Sequence, residues 1–370
     1  MLLAGNSIGK EFVVTSFGES HGKCVGVIVD GCPAGLSFSE ADVQPELDRR
    51  IPSQPKVVSG RIEKDVVELL SGVFNGSTTG APLCMIVENK DARSSDYTKI
   101  KDLPRPGHAD YVAAMKYGGF NDYRGGGRFS GRVTVALVMA GALAKKLLLE
   151  FGVEVVAYAT AIGNVKMKHM PSFDRIRHGT YETAVRCPDP SSAKEMEEVI
   201  VNAKEEGESL GGLVECVATN VPVGVGDPLF DSLDADIAKA LFSVPAVKGV
   251  EFGAGFRVAE MKGSENNDVY QLKNGKISTL TNNAGGILGG MATGMPILTR
   301  VAIKPTPSIA KEQQTVSLSK MKSEKIRVMG RHDPCVVPKA VPVVESAVAI
   351  IIADHMVRAG SMPKVLKERR

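Results

Sequence analysis

Three short loops hold three of the chain's six histidines: Gly18-Glu19-Ser20-His21-Gly22, Arg105-Pro106-Gly107-His108-Ala109-Asp110 and Gly330-Arg331-His332-Asp333-Pro334-Cys335. Each sets an imidazole on Gly- or Pro-bearing backbone beside Ser, Arg or Asp. Imidazole exchanges a proton near neutral pH, and bent backbone lets a bulky ligand approach it. Neighbouring guanidiniums suit a phosphate or a carboxylate. The pattern is that of acid–base chemistry on an anion. His21, His108, Asp110, His332 and Asp333 are also suitable metal ligands, so a metal-dependent phosphohydrolase stands as a rival, although no HxH, HExxH or HxxxH pair occurs. His169 and His178 lie in polar sequence and read as solvated. His355, late in an apolar stretch, reads as structural, a cation there suiting a helix C-terminus.

Two further segments could hold anions. Gly125-Gly126-Gly127-Arg128-Phe129-Ser130-Gly131-Arg132 runs into an apolar helix, so its N–H groups could face a phosphate. Lys304-Pro305-Thr306-Pro307-Ser308 offers an ammonium and two hydroxyls on rigid backbone, and Gly285 to Gly290 before it would admit a flat ligand. Nucleotide motifs fail. Gly18 to Cys24 has one residue too few for a P-loop and Cys where the magnesium-binding hydroxyl belongs, and Ser130 stands where the dinucleotide fingerprint needs its last Gly.

The elements that must position these loops are legible. At 370 residues, 43% hydrophobic and 24% charged, the chain can bury a large core. A net charge of +3 and 5% aromatics without Trp argue against nucleic acid and anionic membrane. A phosphate- or RNA-binding module would show a contiguous basic face, whereas here Arg is distributed among the His loops. The six Cys form no CxxC pair and read as buried thiols of a reducing compartment. Met1 to Lys10 lacks a signal-peptide pattern, and the longest uncharged apolar run, Val133 to Ala144, is too short for a bilayer. A cytoplasmic protein is expected.

Phe12 to Ser16 and Lys23 to Asp30 read as strands around a Gly turn. Ser39 to Arg50 reads as a helix N-capped by Ser39, with Pro45 predicting a later start or a kink. Arg132 to Phe151 and Pro338 to Ala359 read as long helices, apolar nearly all round and stopped by Gly152 and Gly360. Met167 to Arg177 and Gly263 to Lys276 read as loops or short excursions.

The two halves echo each other in order. Ser20-His21-Gly22 matches Ser209-Leu210-Gly211, Pro33-Ala34-Gly35 matches Pro222-Val223-Gly224, Ala41-Asp42-Val43 matches Ala235-Asp236-Ile237, and Thr79-Gly80-Ala81-Pro82-Leu83 matches Thr293-Gly294-Met295-Pro296-Ile297. An Arg-led loop precedes a long helix twice, at Arg128 and Arg331. The expectation is one α+β domain over 1–370, a β-α-β sandwich with long central helices and a pseudo-twofold repeat of halves about 1–195 and 196–370.

The three His loops, with Arg124-Gly125-Gly126-Gly127-Arg128-Phe129-Ser130-Gly131-Arg132 between the second and third, resemble the chorismate synthase family. The likeness runs from Gly5-Asn6-Ser7-Ile8-Gly9 to the last helix, through Leu47-Asp48-Arg49-Arg50, Lys248-Gly249-Val250-Glu251 and Ala284-Gly285-Gly286-Ile287. It implies 1,4-anti elimination of phosphate from 5-enolpyruvylshikimate 3-phosphate, giving chorismate, with reduced FMN required in a redox-neutral reaction. It also implies a homotetramer of β-α-β sandwich subunits. By position, His21 would be the acid for the leaving phosphate and His108 would lie near flavin N1. Asp333, with Ser20 and Ser130 as relays, would handle the proton at N5. FMN contacts would fall on Arg128, Phe129, Ser130, Pro245, Ala246, Gly289, Lys304, Pro305, Thr306, Pro307, Ser308 and Arg331. Pro245 stands where the family usually has a polar residue, so it offers only a carbonyl. Arg49, Arg50, Arg105 and Arg132 would hold substrate anions. The family's NADP-linked pair falls on Arg50 and Lys56, where Lys replaces the usual Arg and loses bidentate geometry. NADPH and a separate flavin reductase are then the two candidate sources of reduced flavin.

Overall fold

The computed structural model describes residues 5–51, 64–90, 101–273, 275–328 and 333–366. Two five-stranded antiparallel sheets frame it. The first holds β1 (Ser7–Ile8), β2 (Val13–Gly18), β3 (Cys24–Asp30), β4 (Val67–Ser71) and β7 (Leu83–Glu88) in the order β1-β2-β3-β7-β4. The second holds β8 (Glu154–Ile162), β9 (Val165–Lys166), β10 (Gly212–Thr219), β11 (Val247–Phe252) and β16 (Ile297–Ile303) in the order β11-β16-β10-β8-β9. Four ribbons complete the strands: β5–β6 (Val73–Phe74, Ser77–Thr78), β12–β13 (Tyr270–Lys273, Lys276–Thr279), β14–β15 (Ile287–Leu288, Met291–Ala292) and β17–β18 (Glu312–Ser317, Lys322–Arg327).

The helices are α1 (Glu40–Asp48), α2 (Asp110–Lys116), α3 (Thr134–Leu149), α4 (Phe173–Gly179), α5 (Pro190–Glu205), α6 (Leu233–Phe242), α7 (Gly263–Asn266) and α8 (Val337–Arg358). Thus both stretches expected as loops or short excursions carry small elements, α4 in one, α7 and the β12–β13 ribbon in the other. Helix α1 starts where Ser39 placed it and runs through Pro45, its first turn tied by the Asp42 carboxylate, which accepts from the Ser39 N–H at 2.9 Å.

Helices α3 and α8 pack on one another, α3 leaning on β2, β3 and β7 and α8 on β8 and β10. Gly141 marks their crossing: a Cβ there would collide with Ser346. Twelve of the sixteen α3 residues are buried, which is why the sequence has no polar stripe there. Helix α8 is long and apolar enough to cross a bilayer, unlike the Val133–Ala144 run, but it is a buried core helix. Cys32, Cys187, Cys216 and Cys335 are buried as expected, while Cys24 and Cys84 are only half-buried.

The two sheets use equivalent orders: β2, β3, β7 and β4 follow one another in the first as β8, β10, β16 and β11 do in the second. Helix α1 packs on α3 as α6 packs on α8. Gly80 and Gly294, in the matched turns before β7 and β16, both have φ +84°.

Candidate active site

The Gly-rich turn before α3 is the hub. Gly125, Gly126 and Gly127 have φ of +58°, +84° and +51°, which side-chain-bearing residues rarely adopt. Proximity is a second reason for glycine. A Cβ on Gly125 would lie 2.6 Å from His21 Nε2 and 2.8 Å from Ser20 Oγ. One on Gly126 would lie 3.2 Å from His108 Nε2. Two imidazoles from distant loops thus sit against successive residues of one turn. The Ser20 N–H donates to the Gly127 carbonyl at 3.2 Å, joining the first loop to the hub, and Ser20 and His21 are both buried.

Asp110 opens α2 and organises the second loop. Its carboxylate accepts from His108 Nδ1 at 2.7 Å and from Arg105 Nε and Nη2, both at 2.8 Å. Burial opposes its charge, but the hydrogen bonds and charges of Arg105 and His108 prevail and hold the carboxyl well below the usual carboxylate range. With Nδ1 facing a carboxylate, the other ring nitrogen, Nε2, is the one turned to Gly126. Arg105 is buried and also donates to Ser308 Oγ at 3.3 Å. Its guanidinium thus ties this loop to the Ser308 loop.

At the far end of the hub, Asp65 is clasped by two guanidiniums. Arg50 Nη1 donates to it at 2.7 Å, and Arg132 makes a close ion pair with its other oxygen. Arg132 Nε also donates to Asn89 at 2.9 Å and Arg50 Nη2 to Thr134 Oγ1 at 3.2 Å. Burial pushes the Arg50 pKa down, while the Asp65 and Asp333 carboxylates oppose that shift. Asp333, just ahead of α8, pairs with Lys339 at 2.6 Å. One carboxylate already sits between two cations, leaving positive charge for an anionic ligand.

The expected anion cradle of backbone N–H groups differs. The amides of Gly126, Ser130, Arg132 and Val133 are engaged inside the loop, the Arg132 amide with Ser130 Oγ. Arg128 is likewise engaged, donating to the Ser16 carbonyl at 2.8 Å, the Gly18 carbonyl at 3.2 Å and Asn6 at 3.2 Å, so it ties β2 to the hub. Phe129 packs near Tyr117. Arg49 does not join the histidines: its guanidinium pairs with Glu46 at 2.6 Å and stacks 4.4 Å over Tyr181. Arg331, His332 and Lys56 lie outside the described residues, so the expected convergence of Arg128 with Arg331 does too.

The second half brings its loops to the same place. The Lys304 ammonium donates to the Gly107 carbonyl, beside His108, and the Lys304 N–H donates to the Ala246 carbonyl at 2.9 Å. Pro245, Ala246 and the Lys304–Ser308 loop therefore adjoin the His108 loop. Thr306 Oγ1 is buried with no hydrogen-bond partner, a polar atom available to a ligand. Gly289, at φ +59°, leaves open backbone.

A family model for chorismate synthase matches residues 12–357. The chorismate synthase of Korarchaeum cryptofilum is 56% identical over 96% of this chain and 99% of its own length. That of Dehalococcoides mccartyi strain BAV1 is 51% identical over 98% and 100%. A crystal structure of chorismate synthase superimposes with a TM-score of 0.75 at 31% identity, covering 95% of this chain and 93% of that one. The chain belongs to the chorismate synthase family.

Beyond the family motifs, the site depends on residues that sequence reasoning passed over. Asp110 was visible only as a ligand candidate, although its place five residues after Arg105, at a helix start, suits an orienting carboxylate. Asp65 had no local signal, being 15 residues from Arg50 and 67 from Arg132. His169 and His178 are exposed, as read. His355 is structural, but not as a dipole-stabilised cation. Burial depresses its pKa, and its Nε2 contacts Asp236 at 3.0 Å.

Proposed function

We propose that the protein is a carbon–oxygen lyase that removes phosphate from 5-enolpyruvylshikimate 3-phosphate by 1,4-anti elimination, giving chorismate. The observation that carries this reading is the seating of His21 and His108 against Gly125 and Gly126, with the Arg50–Asp65–Arg132 cluster at the other end of the same loop. The substrate bears two carboxylates and a phosphate, so it needs local cations and a proton donor, both of which the loop assembles.

The residues fit reduced FMN: Thr306 has an unpartnered buried hydroxyl, Gly289 has open backbone, and Lys304, Pro305, Pro307 and Ser308 adjoin His108. When bound, the flavin supplies the transient electron density that eases C–O cleavage. The chain's own residues do the rest. Arg50 and Arg132 bind and orient substrate anions. His21 gives a proton to the departing phosphate. His108, turned by Asp110 so that Nε2 faces the hub, stabilises anionic charge beside it. The elimination also removes a ring hydrogen of the substrate; Asp333, from the other half of the chain, would take it away as a proton from the flavin N5 edge, with Ser20 and Ser130 as relays. Arg105 and Arg128 hold the loops, and Arg49 is set aside as a substrate contact. The Arg105 guanidinium against His108 also disfavours a metal there, since a bound cation would meet a fixed positive charge.

The equivalent sheet orders support a duplicated unit and a β-α-β sandwich. Because β8 already belongs to the second sheet, the halves divide near Gly152 rather than 195. A single domain, a homotetramer and a cytoplasmic setting complete the reading. Arg50 serves the substrate in this reading, so a nicotinamide nucleotide there would compete with it, and a separate flavin reductase is the preferred source of reduced FMN. The test is anaerobic turnover of the substrate with photoreduced FMN, with and without NADPH and chelator. Chorismate formation that needs reduced FMN but neither NADPH nor metal is expected. Phosphate release without chorismate, abolished by chelator, would overturn the reading.

A further inference from the structure

On the side of α1 away from the histidines, a buried guanidinium does something the site needs. Arg186 has φ +62°, a left-handed conformation that costs free energy in a residue with a side chain and persists only where its surroundings demand it. It is 3% exposed, and its Nε is buried without a hydrogen-bond partner. Its Nη2 donates to the Arg49 carbonyl at 3.0 Å and to the Ile51 carbonyl at 3.2 Å, the two carbonyls that flank Arg50. Its Nη1 donates to the carbonyls of Tyr181 and Thr183, both at 3.3 Å. The Tyr181 ring lies against two guanidiniums, Arg49 at 4.4 Å and Arg186 at 5.0 Å, and its hydroxyl reaches Glu345 of α8 at 3.5 Å.

The chain leaving α1 is thus gripped on both sides of one residue. A buried cation at a helix C-terminus is also well placed for the helix dipole and the last carbonyls. We propose that Arg186, outside the His–Arg site, is a positioning residue for Arg50: by fixing the peptide unit just before Arg50 and the one just after Ile51, it sends the Arg50 guanidinium toward Asp65 and Thr134. Arg49 then leaves the chain in the other direction, toward Glu46 and Tyr181. This rests on the reading of Arg50 as a substrate contact. The carbonyl of Arg49 is thus held by a charged side chain 137 residues away in the sequence.

The test compares Arg186→Met, Arg186→Lys and Arg50→Ala, alone and combined, in the full-length enzyme. Calorimetric titration with 5-enolpyruvylshikimate 3-phosphate gives Kd, and steady-state assays separate KM from kcat. Arg186→Met should raise Kd and KM by about 10- to 100-fold, the scale of a misplacement from outside the site, with kcat changed far less. Arg186→Lys, which can reach one carbonyl, should restore part of the affinity and serves if the Met variant does not fold. Arg186→Met added to Arg50→Ala should cost little more than Arg50→Ala alone, because both act through one guanidinium. A lower melting temperature with unchanged Kd and KM, or losses that multiply in the double variant, would overturn the positioning role. If Arg50→Ala itself leaves Kd unchanged, the substrate-contact reading fails first and the proposal with it.

Discussion

Two corners of the molecule, at Ser20-His21-Gly22 and Ser209-Leu210-Gly211, are similar in sequence and differ in what surrounds them. In the first, Ser20-His21-Gly22 leads into β3 and the Ser20 N–H bonds the Gly127 carbonyl of the loop before α3. In the second, Ser209-Leu210-Gly211 leads into β10 and the Leu210 N–H bonds the Pro334 carbonyl ahead of α8, at 2.7 Å. The first corner meets three glycines, and its imidazole rests on bare backbone. The second meets Pro334 and buried Cys335, and Leu210 packs on the hydrophobic core. Ser209 Oγ donates to the Thr306 carbonyl at 2.7 Å, so this corner braces the loop that adjoins His108. On the proposed reading the first corner carries chemistry and the second gives support, and one side chain, His21 against Leu210, marks the division.

The strongest way to break that contrast is to make the first corner like the second. His21→Leu should leave the β2–β3 turn folded and lower turnover by about 10²- to 10⁴-fold, the loss expected for a positioned acid. Leu210→His in the same chain should restore nothing, since the second corner faces Gly163, Pro334 and Cys335 and not the Gly125–Gly127 turn that also meets His108. Turnover of the single and double variants under anaerobic conditions checks this. Wild-type activity in His21→Leu would remove the proton role, and recovery in the double variant would make the corners interchangeable.

Much of this contrast could be read from the residues themselves. Val25, Val27 and Val29 announced the buried face of β3, and the all-round apolar runs announced α3 and α8, because burial leaves a periodicity that sequence preserves. Gly125 to Gly127 announced a site, because three glycines in a row serve no helix or strand. The pairing of Arg50 with Asp65 and the grip of Arg186 on the Arg49 and Ile51 carbonyls left no trace, because contacts made across long separations have no sequence period. Arg49, Arg105 and Arg128 looked like anion binders by type. In the fold they meet Glu46, Asp110 and the Ser16 carbonyl, the last a partner 112 residues away that only packing supplies. His355 reads as structural and is so, but its burial and its Asp236 contact, 119 residues away, were not legible.

A second test sharpens the contrast through Asp110, the carboxylate that holds His108 beside the Gly125–Gly127 turn. Asp110→Asn should lower turnover by roughly 10- to 100-fold, as loss of an orienting carboxylate does in comparable sites. It should also change acid stability with a defined sign. The folded-state pKa lies below the unfolded value of about 3.9, so the charged form stabilises the native state above that pH, and the contribution is lost as pH falls toward the folded value. The Asn variant lacks this dependence, so its deficit relative to wild type should be constant above about pH 4 and shrink below it. Denaturant melts across pH 2.5 to 7 would show this, and a deficit that grows on acidification would reverse the assignment.

The smallest effect should come from the supporting corner. Leu210 is partly buried, packed on the main core, and joined through its own N–H to Pro334, a bond that truncation of the side chain leaves intact. Leu210→Ala therefore removes apolar contact without removing a catalytic group. A fully buried Leu→Ala costs about 2–5 kcal/mol, and a half-exposed one should fall near or below the low end, about 1–2 kcal/mol. The Ser209 hydroxyl still holds the Thr306 carbonyl, so the loop beside His108 should keep its place. Melting temperature should drop while kcat stays within about twofold of wild type, since the transition-state contacts are untouched. If kcat instead falls tenfold or more at full folding, the second corner takes part in the chemistry, and the division between a working half and a bracing half gives way to a site that both corners build.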